Sequence, residues 1–385
     1  MRKLLILTLA LTSIISLQSR ADTILINGTP VNHLYVDSEG RLYLTPGPGR
    51  KPVEIKIPSR SVETHILSSE RRIKVGGEAY LHYDADLKSP SHSNAFKITR
   101  NYIEFRGYFN DRDYFRTTLD VHQAKAKNGD KAGDLDGSYI ARIKYAYVYF
   151  HNVLPHTGVE IGLAHRPWHD WEEHHGWLHR DVEETLIENK EGAGLENSAD
   201  LGVSFKGKYS IASWQFGIFN GEGYHGEEDS EHFGKSLEGR LSLNLFRGFM
   251  LSGHTAHIFD LKGQDMDRHI YQVHAVYNNP YFLVAAQYIW DRDDYYNKDD
   301  LDQKGYSFNA DLKLKPFTGY SVGILGRYDH WDPNDDKSND EREHFVYGAW
   351  WDYSKYVRFT VVDDRLIDNA GKDKNTLMAV TKVKW

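Results

Sequence analysis

From about residue 72 onward, hydrophobic and polar side chains alternate along one segment of the chain after another. In the first of these segments, Val75 and Leu81 alternate with polar residues such as Lys74 and His82. Successive side chains of a β-strand point to opposite faces, so each segment predicts a strand with one apolar and one polar face. The segments are about nine to twelve residues long, the length that a tilted strand needs to cross a bilayer, and there are about sixteen of them.

The connections between these segments alternate between short and long. Short turns lie around 110–113, 247–248, 278–280, 316–319 and 353–355, and long polar loops around 124–137, 221–234, 292–303, 332–341 and 364–374. Outer-membrane barrels have short periplasmic turns and long outer loops, whereas a soluble β-sandwich has no reason to sort its loops in this way. The sequence therefore predicts an all-β protein, a transmembrane antiparallel β-barrel of about sixteen strands. Its apolar faces, with Leu241, Leu243 and Phe308, should contact lipid, and its polar faces should surround an aqueous lumen.

The last predicted strand ends on an aromatic residue. Its apolar face carries Leu377, Val383 and Trp385, whereas Lys382 and Lys384 take the other face. An aromatic residue at a strand end is typical of the membrane–water interface of a barrel. Taken alone, the segment fits an ordinary half-buried strand equally well, so this interpretation depends on the pattern of the whole chain.

The amino-terminal residues have the features of a secretory signal. Arg2 and Lys3 are basic, residues 4–17 are largely apolar, and small residues precede the expected cleavage after Ala21. This order predicts a signal peptide over residues 1–21. The apolar stretch is short for a transmembrane helix.

Residues 22–70 differ from the alternating segments because prolines and glycines interrupt them. We expect an N-terminal periplasmic extension here and a barrel domain over residues 71–385. The chain has no cysteine, so disulfide bonds take no part in either. Its 55 acidic and 47 basic residues include no basic cluster suited to nucleic acid, and no nucleic-acid partner is expected.

Charged residues occupy many of the positions that the alternation assigns to the lumen. Basic residues outnumber acidic ones there, and rings of Arg or Lys favour anions, so a weak anion preference is expected. The alternative is that these charges only solvate a water-filled lumen and pair across strands. The predicted pore-lining residues are Arg100, Glu104, Arg106, Arg116, Asp120, Arg142, Lys144, Arg240, Arg268, Arg327 and Arg358.

Several local strings, together with the barrel pattern and Trp385, resemble a known family. Residues 162–171 lead a strand into Arg-Pro-Trp, residues 200–203 read Asp-Leu-Gly-Val, and residues 220–224 read Asn-Gly-Glu-Gly-Tyr. From about residue 72 onward, the chain is similar to the phosphate-selective porin-like family of the porin superfamily in Gram-negative bacteria. The resemblance implies a trimer of sixteen-stranded barrels that small solutes cross by diffusion. Phosphate selectivity in that family depends on an arginine ladder and on lysine in the constriction loop, where this chain carries Trp, His and acidic residues.

The longest predicted connection runs from about Arg166 to Asp200, between the fifth and sixth strands. In general porins the third outer loop folds inward and narrows the channel, and this connection occupies that position. Its proline and tryptophans suit a folded segment, and residues 181–188 are predicted to form a short helix. The predicted constriction residues are Arg166, Trp168, His169, Asp170, Trp171, Glu172, Glu173, His174, His175 and Arg180.

Two kinds of chemistry compete with a purely structural role for these residues. The histidines and acids of the loop suggest zinc, but their spacing matches no tight site signature, so neither a metal nor a cofactor is predicted. Ser242 and His254 lie on neighbouring predicted strands, but no Gly-x-Ser-x-Gly motif accompanies them. Paired acids such as 172–173 and 363–364 are expected to be solvated. The chain is therefore not expected to be an enzyme.

The sequence as a whole predicts an outer-membrane porin. This would be a passive, water-filled channel for small hydrophilic solutes or ions, located in the bacterial outer membrane, in contact with lipid and assembled as a homotrimer. Two alternatives stay open. One is an outer-membrane barrel enzyme or receptor with an occluded lumen, and the other is a secreted soluble β-protein that binds sugar or metal.

Overall fold

The computed structural model describes residues 24–26, 29–31, 34–38, 42–43, 46–53, 72–88, 93–123, 138–224, 226, 234–261 and 265–385. The predicted signal peptide, residues 1–21, lies outside these residues. Contacts divide the chain into two units, Met1–Glu70 and Arg71–Trp385. The assignment of the first unit to a periplasmic extension stays a prediction.

The first unit contains short strands in its described part. These are β1 (Ile24–Ile26), β2 (Thr29–Val31), β3 (Leu34–Val36), β4 (Leu42–Tyr43) and β5 (Lys51–Val53). β1 pairs with β2, and the other three form a small antiparallel sheet in the order β4-β3-β5. Prolines within β2 and β5 each remove a backbone donor, which limits how far these pairings extend.

Sixteen antiparallel strands of the second unit form one closed barrel, in which each strand pairs with its neighbours in sequence and β21 pairs with β6. The predicted fold is therefore confirmed. The strands are β6 (Ile73–Asp86), β7 (Asn94–Tyr108), β8 (Tyr114–Gln123), β9 (Tyr139–Leu154), β10 (Thr157–His165), β11 (Ala199–Tyr209), β12 (Ala212–Phe219), β13 (Lys235–Phe246), β14 (Phe249–Phe259), β15 (Met266–Asn278), β16 (Phe282–Tyr295), β17 (Leu301–Lys313), β18 (Val322–Asp332), β19 (Arg342–Asp352), β20 (Val357–Asp368) and β21 (Lys374–Lys384).

The two faces of the wall separate by residue type in the way that the alternation predicts. Leu241 and Phe308 are 51% and 53% exposed on the outer face. Leu243 is partly exposed on the same face, whereas His82 and Asp311 are buried on the inner face. A closed ladder satisfies the backbone donors and acceptors internally, so an apolar outer face is compatible with lipid.

The barrel closes where the carboxyl-terminal residue meets the first strand of the wall. Trp385 donates its backbone N–H to Gly77 at 3.1 Å and accepts from Gly77 at 3.0 Å. A Cβ on Gly77 would collide with the Trp385 ring and with the carbonyl oxygen of Tyr102. Glycine is therefore required at this position of β6 because the indole ring lies directly against the backbone.

The connections at the two ends of the barrel differ in length. At one end, here called the turn end, two-residue turns lie at 155–156, 210–211 and 247–248. The opposite end, the loop end, carries the longest connection, residues 166–198. This asymmetry agrees with the predicted sorting of short turns and long loops.

Two of the predicted long loops are shorter than expected because the strands continue into them. Within the predicted loop 292–303, Arg292 on β16 pairs in register with Asp302 on β17, and only residues 296–300 lie outside the strands. The Arg292 guanidinium contacts Asp294 at 2.6 Å and Asp300 at 2.6 Å. These charge pairs support strand pairing at the loop end, where the side chains are polar. The predicted loop 364–374 likewise contains strand residues, and β20 and β21 pair as far as Leu366 and Lys374.

Helices are few in the described part of the chain. The two helices there are α1 (His169–His175) and α2 (Lys315–Thr318). Within the described residues, no helix is both long and apolar enough to cross a bilayer.

Candidate functional site

Residues 166–198 connect β10 to β11 and fold into the barrel, and they are called the inward loop below. Their contacts reach the inner faces of strands that lie far apart around the wall. His179 Nε2 lies 3.1 Å from an Asp311 carboxylate oxygen on β17, and Arg100 on β7 donates to Glu184 at 2.9 Å. The loop therefore lies across the lumen. Its role as the channel constriction stays a prediction.

Both ends of the inward loop are fixed by buried charges. Arg166 Nη2 contacts Glu196 at 3.1 Å and Glu238 on β13 at 2.6 Å, and all three side chains are almost fully buried. Arg240 Nε donates to the Pro167 carbonyl oxygen at 2.9 Å. Because a buried guanidinium is costly unless it is paired, these contacts hold the entry and exit of the loop together against the wall.

The helical part of the loop differs from the prediction. Residues 181–188, predicted as a helix, form turns instead, and the helix is α1. In those turns, Asp181 and Glu184 extend to Lys382 on β21 and Arg100 on β7 respectively. Side chains that bind cations on separate strands favour a turned backbone over a regular helix.

One apolar cluster joins α1 and the middle of the inward loop to the wall of β14–β16 and β18. From the loop come tryptophans 168 and 171 together with aliphatic side chains, and the wall supplies buried apolar residues in return. The members are Trp168, Trp171, Leu186, Ile187, Leu195, Met250, Ala256, Ile270, Val276, Leu283, Ala285, Ile289 and Trp331. Burial of this much apolar surface stabilises the docked loop.

In a second apolar cluster, residues 177 and 182 of the loop pack against β18–β21. Its members are Trp177, Val182, Leu325, Val346, Trp350, Val362, Met378 and Val380. The two clusters correct the prediction that the inner face is uniformly polar. The wall positions opposite the loop are apolar because the loop, and not water, covers them. A sequence signal exists in the unbroken apolar run 281–286, in which both faces of β16 are apolar.

Glu172 is buried and has no basic partner within hydrogen-bond distance among the described residues, which contradicts the prediction that this acid pair is solvated. Its Oε2 accepts from Trp168 Nε1 at 2.6 Å, and its Oε1 has no hydrogen-bond partner. Burial raises the pKa of the Glu172 carboxyl to about 7. The carboxyl group therefore titrates near neutral pH.

Glu173 and Glu188 both bind Arg180, which lies at the centre of the loop. Arg180 contacts them at 2.8 and 3.2 Å respectively. Burial alone would raise the pKa of Glu188, but the positive charge of Arg180, with Lys144 and Arg100, lowers it to about 2. His169 is fully buried, and neither ring nitrogen has a hydrogen-bond partner. Burial lowers the pKa of His169, which favours the neutral ring.

The exposed face of α1 borders a cavity of about 660 Å³ between the loop and the wall of β9–β13. Asp170, His174 and His175 line it from the helix, with Lys206 on β11 among the wall residues. His174 Nδ1 lies 2.6 Å from the Asp170 carbonyl oxygen, and His175 stacks on Trp171. Burial lowers the pKa of His175, so this ring is neutral at physiological pH. The loop therefore leaves polar space against this part of the wall.

A second cavity, of about 700 Å³, lies on the other side of α1. Glu173 and Arg180 line it from the loop, and Arg358, Lys382 and other charged residues line it from the wall. Basic and acidic groups both reach this space.

The predicted basic residues of β7–β9 lie on the inner face, where four arginines form two groups around wall carboxylates. Asp120 on β8 accepts from Arg100 and from Arg142, each at 2.8 Å. In the same wall, Glu104 binds Arg106 at 2.5 Å and Arg116 at 2.8 Å. Four guanidinium groups thus share two wall carboxylates. This stretch, called the basic wall below, carries net positive charge.

Lys144 adds a fifth cation to the basic wall, and three tyrosines surround it. Its ammonium group donates to the Tyr102 hydroxyl at 3.2 Å and lies 5.6 Å and 6.0 Å from the rings of Tyr145 and Tyr224. Cation–π attraction stabilises a charge held among aromatic faces. The sequence prediction missed these tyrosines, of which Tyr102 and Tyr145 lie on β7 and β9 and Tyr224 lies in the distant loop after β12.

The remaining predicted pore-lining residues lie on the inner face and hold the loop or neighbouring acids. Arg268 binds Asp293 at 2.7 Å, and Arg358 binds Asp352 at 2.6 Å. Arg327 donates to the Glu184 carbonyl oxygen at 2.6 Å. Arg240, which binds Pro167, also lies over the Trp171 ring. These four arginines therefore serve to fix the loop or to pair acids.

The Ser–His pair considered for catalysis has other partners. Ser242 accepts from Arg240 at 2.5 Å and from Ser252 at 2.7 Å. His254 lies 3.2 Å from the Gly239 carbonyl oxygen and 3.4 Å from Glu196. The structure does not bring the two side chains together as a nucleophile and its base.

Comparison with known proteins rests on structure, because no family model and no curated protein matches the sequence. The anion-selective porin from Comamonas acidovorans is similar at a TM-score of 0.61 and 11% identity, over 82% of this chain and 100% of the porin. The chain has the porin fold.

Two further porin-fold neighbours are similar over nearly their whole length. OmpF of Salmonella typhi, solved in complex with daunomycin, has a TM-score of 0.58 and 11% identity, over 82% of this chain and 98% of OmpF. The trimer form of OmpT, an outer membrane protein of Vibrio cholerae, has a TM-score of 0.59 and 8% identity, over 82% and 99%. At such identities the likeness establishes the barrel architecture alone.

Proposed function

We propose that this protein is an outer-membrane porin, a passive channel for small hydrophilic solutes or ions. The observation that carries the proposal is a closed sixteen-stranded barrel with an apolar outer face and a charged inner face crossed by a folded loop. An apolar belt around a closed ladder is suited to lipid, and a barrel of this width has room for water inside. The same features support a location in the bacterial outer membrane.

The inward loop and the basic wall are the proposed determinants of passage. Loop residues 166–198 reduce the open cross-section, and the cavity against β9–β13 provides polar space beside α1. The excess of cations on the basic wall supports a weak preference for anions. The name of the Comamonas acidovorans neighbour, an anion-selective porin, agrees with this preference.

The resemblance to phosphate-selective porins makes phosphate the first oxyanion to compare with chloride. Guanidinium groups bind oxyanions through paired N–H donors. Here Arg100, Arg116 and Arg142 are already bound to wall or loop carboxylates. We therefore propose that phosphate and chloride pass with similar preference, which reversal potentials in phosphate and chloride gradients would measure.

We propose a homotrimer as the assembled form. The support is the trimer form of the Vibrio cholerae neighbour, which has the same barrel architecture. Chemical cross-linking in detergent should give a ladder that ends at three chains. A single band at one chain, under conditions that cross-link a known trimeric porin, would contradict this.

The decisive experiment for the channel is conductance in planar lipid bilayers. Purified protein should insert and produce discrete current steps that scale with salt concentration. Because the loop contacts strands of both halves of the wall, the steps should be small for a sixteen-stranded barrel.

An occluded barrel that acts as a receptor or enzyme is the second candidate, and the close packing of the loop favours it. Two clusters of buried apolar residues join the loop to the wall inside the barrel. Inserted, folded protein that conducts no current would support this candidate over the porin.

A further inference from the structure

Three side chains with metal-binding groups meet where the inward loop contacts β19 and β20. They are Glu183 of the loop, His344 of β19 and Asp364 of β20. One ligand atom from each lies within 4.8 Å of the other two, and the described part of the chain contains no other such group. His344 and Asp364 are 3% and 8% exposed and thus buried, and Glu183 is partly buried.

The fold brings the two wall ligands together by strand register. Asp364 lies opposite Val346, two residues from His344 on the same inner face. His344 Nε2 lies 2.9 Å from Asp364 Oδ1. Two of the three proposed ligands, an imidazole and a carboxylate, are therefore held in contact by the wall alone.

The backbone around Glu183 is fixed on both sides. Trp177 Nε1 donates to the Glu183 carbonyl oxygen at 2.8 Å, and Arg327 donates to the Glu184 carbonyl oxygen at 2.6 Å. Val182, the preceding residue, is buried in the second apolar cluster. The third ligand is therefore placed by contacts that do not depend on the cluster itself.

Asp329 lies beside His344 on the side where a metal-binding histidine usually has a supporting carboxylate. Asp329 lies directly opposite His344 in the pairing of β18 with β19, and its Oδ2 is 3.8 Å from His344 Nδ1. That nitrogen is buried and has no hydrogen-bond partner. A carboxylate that accepts from the second ring nitrogen orients a histidine whose first nitrogen binds metal. Arg327 holds the Asp329 carboxylate through two contacts, of 2.8 and 2.6 Å.

The side chains at this point supply three groups that can bind a metal ion. Two carboxyl groups and one imidazole converge, and the guanidinium of Arg327 is bound to Asp329. One His with two carboxylates and an open position for water is a ligand set that suits zinc and similar divalent transition metals. Zinc ligands lie about 2.0–2.2 Å from the ion, so modest side-chain rotations would complete the site.

We propose that Glu183, His344 and Asp364 bind one divalent transition-metal ion of the Zn²⁺ class, with Asp329 supporting His344. The ion fastens the inward loop to β19 and β20. This site is independent of the proposed channel function, since it concerns only how the loop is attached to the wall.

The test is Zn²⁺ binding to the purified protein in detergent, after removal of metals with a chelator, measured by isothermal titration calorimetry. We expect one tight site per chain. Glu183→Gln and His344→Gln should each weaken it by at least about 100-fold, and Asp329→Asn by about 10- to 100-fold. Because the chain has 20 histidines, each variant is compared with the wild type by the number of Zn²⁺ sites, and the expected result is the loss of one site.

His174→Gln is the matched control, because His174 is an exposed histidine of the same loop and should leave the tight site unchanged. Zn²⁺ should also raise the unfolding temperature of the wild type and not that of Glu183→Gln, because a ligand stabilises the state that binds it. Glu183 lies in the loop, so this variant keeps the wall of the barrel intact. A wild type without a tight Zn²⁺ site, or a tight site that persists in both Glu183→Gln and His344→Gln, would overturn the proposal.

Discussion

Glu172 and Glu188 belong to the same loop, yet their surroundings shift their pKa values in opposite directions. Glu172 is buried without an ion-paired cation and accepts from the indole of Trp168, and burial raises its pKa to about 7. Glu188 contacts Arg180 at 3.2 Å, and its pKa falls to about 2 against the effect of burial. The difference arises from the presence or absence of a paired cation and not from depth alone.

This contrast predicts opposite effects of pH on two glutamine variants. Between pH 4.5 and 7 the unfolded chain releases the Glu172 proton while the folded chain keeps it, so stability falls as pH rises through this window. At pH 8 the cost is about 3 kcal/mol. Glu172→Gln should therefore melt like the wild type at pH 4 and a few degrees higher at pH 8, in thermal unfolding followed by tryptophan fluorescence.

Glu188→Gln should behave in the opposite sense. The low pKa of Glu188 stabilises the fold above pH 4.5, and this stabilisation is lost as pH falls toward 2. The variant should melt below the wild type at pH 8, and the difference should shrink in acid. Glu191→Gln is the control, because Glu191 is a more exposed acid of the same loop. Equal pH profiles for all three variants would contradict the assigned environments.

At the scale of elements, the strand seam between β6 and β21 depends on one close contact. A side chain at Gly77 would displace the Trp385 ring or push against the Tyr102 carbonyl oxygen. Gly77→Val should destabilise the barrel by about 1–3 kcal/mol, as overpacking usually does. The fraction of chains that refold into a heat-modifiable form on gel electrophoresis should fall.

Gly107→Val is the matched control for the seam, since a Cβ on Gly107 of β7 has open space around it. This variant should refold like the wild type. If Gly77→Val refolded equally well, the contact with Trp385 would not govern closure.

The elements also show where sequence reasoning succeeds and where it stops. The strands were predictable because their period of two is local and the outer face is largely apolar. The position of the inward loop against the wall was not predictable. It depends on contacts such as that between His179 and Asp311, which lie 132 residues apart in the sequence. Only the apolar run 281–286 indicated that something other than water covers the inner face of β16.

For the candidate site, the sequence predicted the residue types better than their partners. The arginines of β7–β9 lie on the inner face, as the alternation requires, but their pairing with Glu104 and Asp120 is set by strand register. The cluster of Glu183, His344 and Asp364 joins a loop to two strands. No spacing in the sequence identifies such a cluster, because its members come from three separate elements.

The edge of the inward loop offers a test of how the loop affects ion passage. Glu184 binds Arg100 at 2.9 Å and Arg180 at 3.1 Å, so it neutralises charge where the loop meets the basic wall. Glu184→Gln should raise the anion-to-cation permeability ratio by about twofold, the size expected for one partly screened charge. Glu191→Gln, at the exposed contact with Lys374, should leave the ratio unchanged. An unchanged ratio for Glu184→Gln would place the passage elsewhere, and a fall would contradict the assigned effect of its charge.

At the scale of the whole molecule, the proposed selectivity depends on where the wall has more cations than carboxylates. The apolar clusters join the loop to β14–β16 and β18–β21, where arginines such as Arg268 and Arg327 serve to pair acids or to hold the loop. The basic wall of β7–β9 is different, because four arginines and Lys144 share only two wall carboxylates there. The proposed anion preference therefore depends on that one stretch and not on the net charge of the chain, which is −8.

Replacement of three of those arginines tests this dependence directly. With Arg100, Arg106 and Arg116 all changed to Gln, Glu104 loses both basic partners and Asp120 keeps only Arg142. The wall then carries two cations and two carboxylates, so the reversal potential in a salt gradient should move from the anion side to near zero. Arg292→Gln is the control, because Arg292 is exposed at the loop end and binds acids there. If the triple variant folds and keeps the wild-type reversal potential, the selectivity does not depend on the arginines of β7–β9.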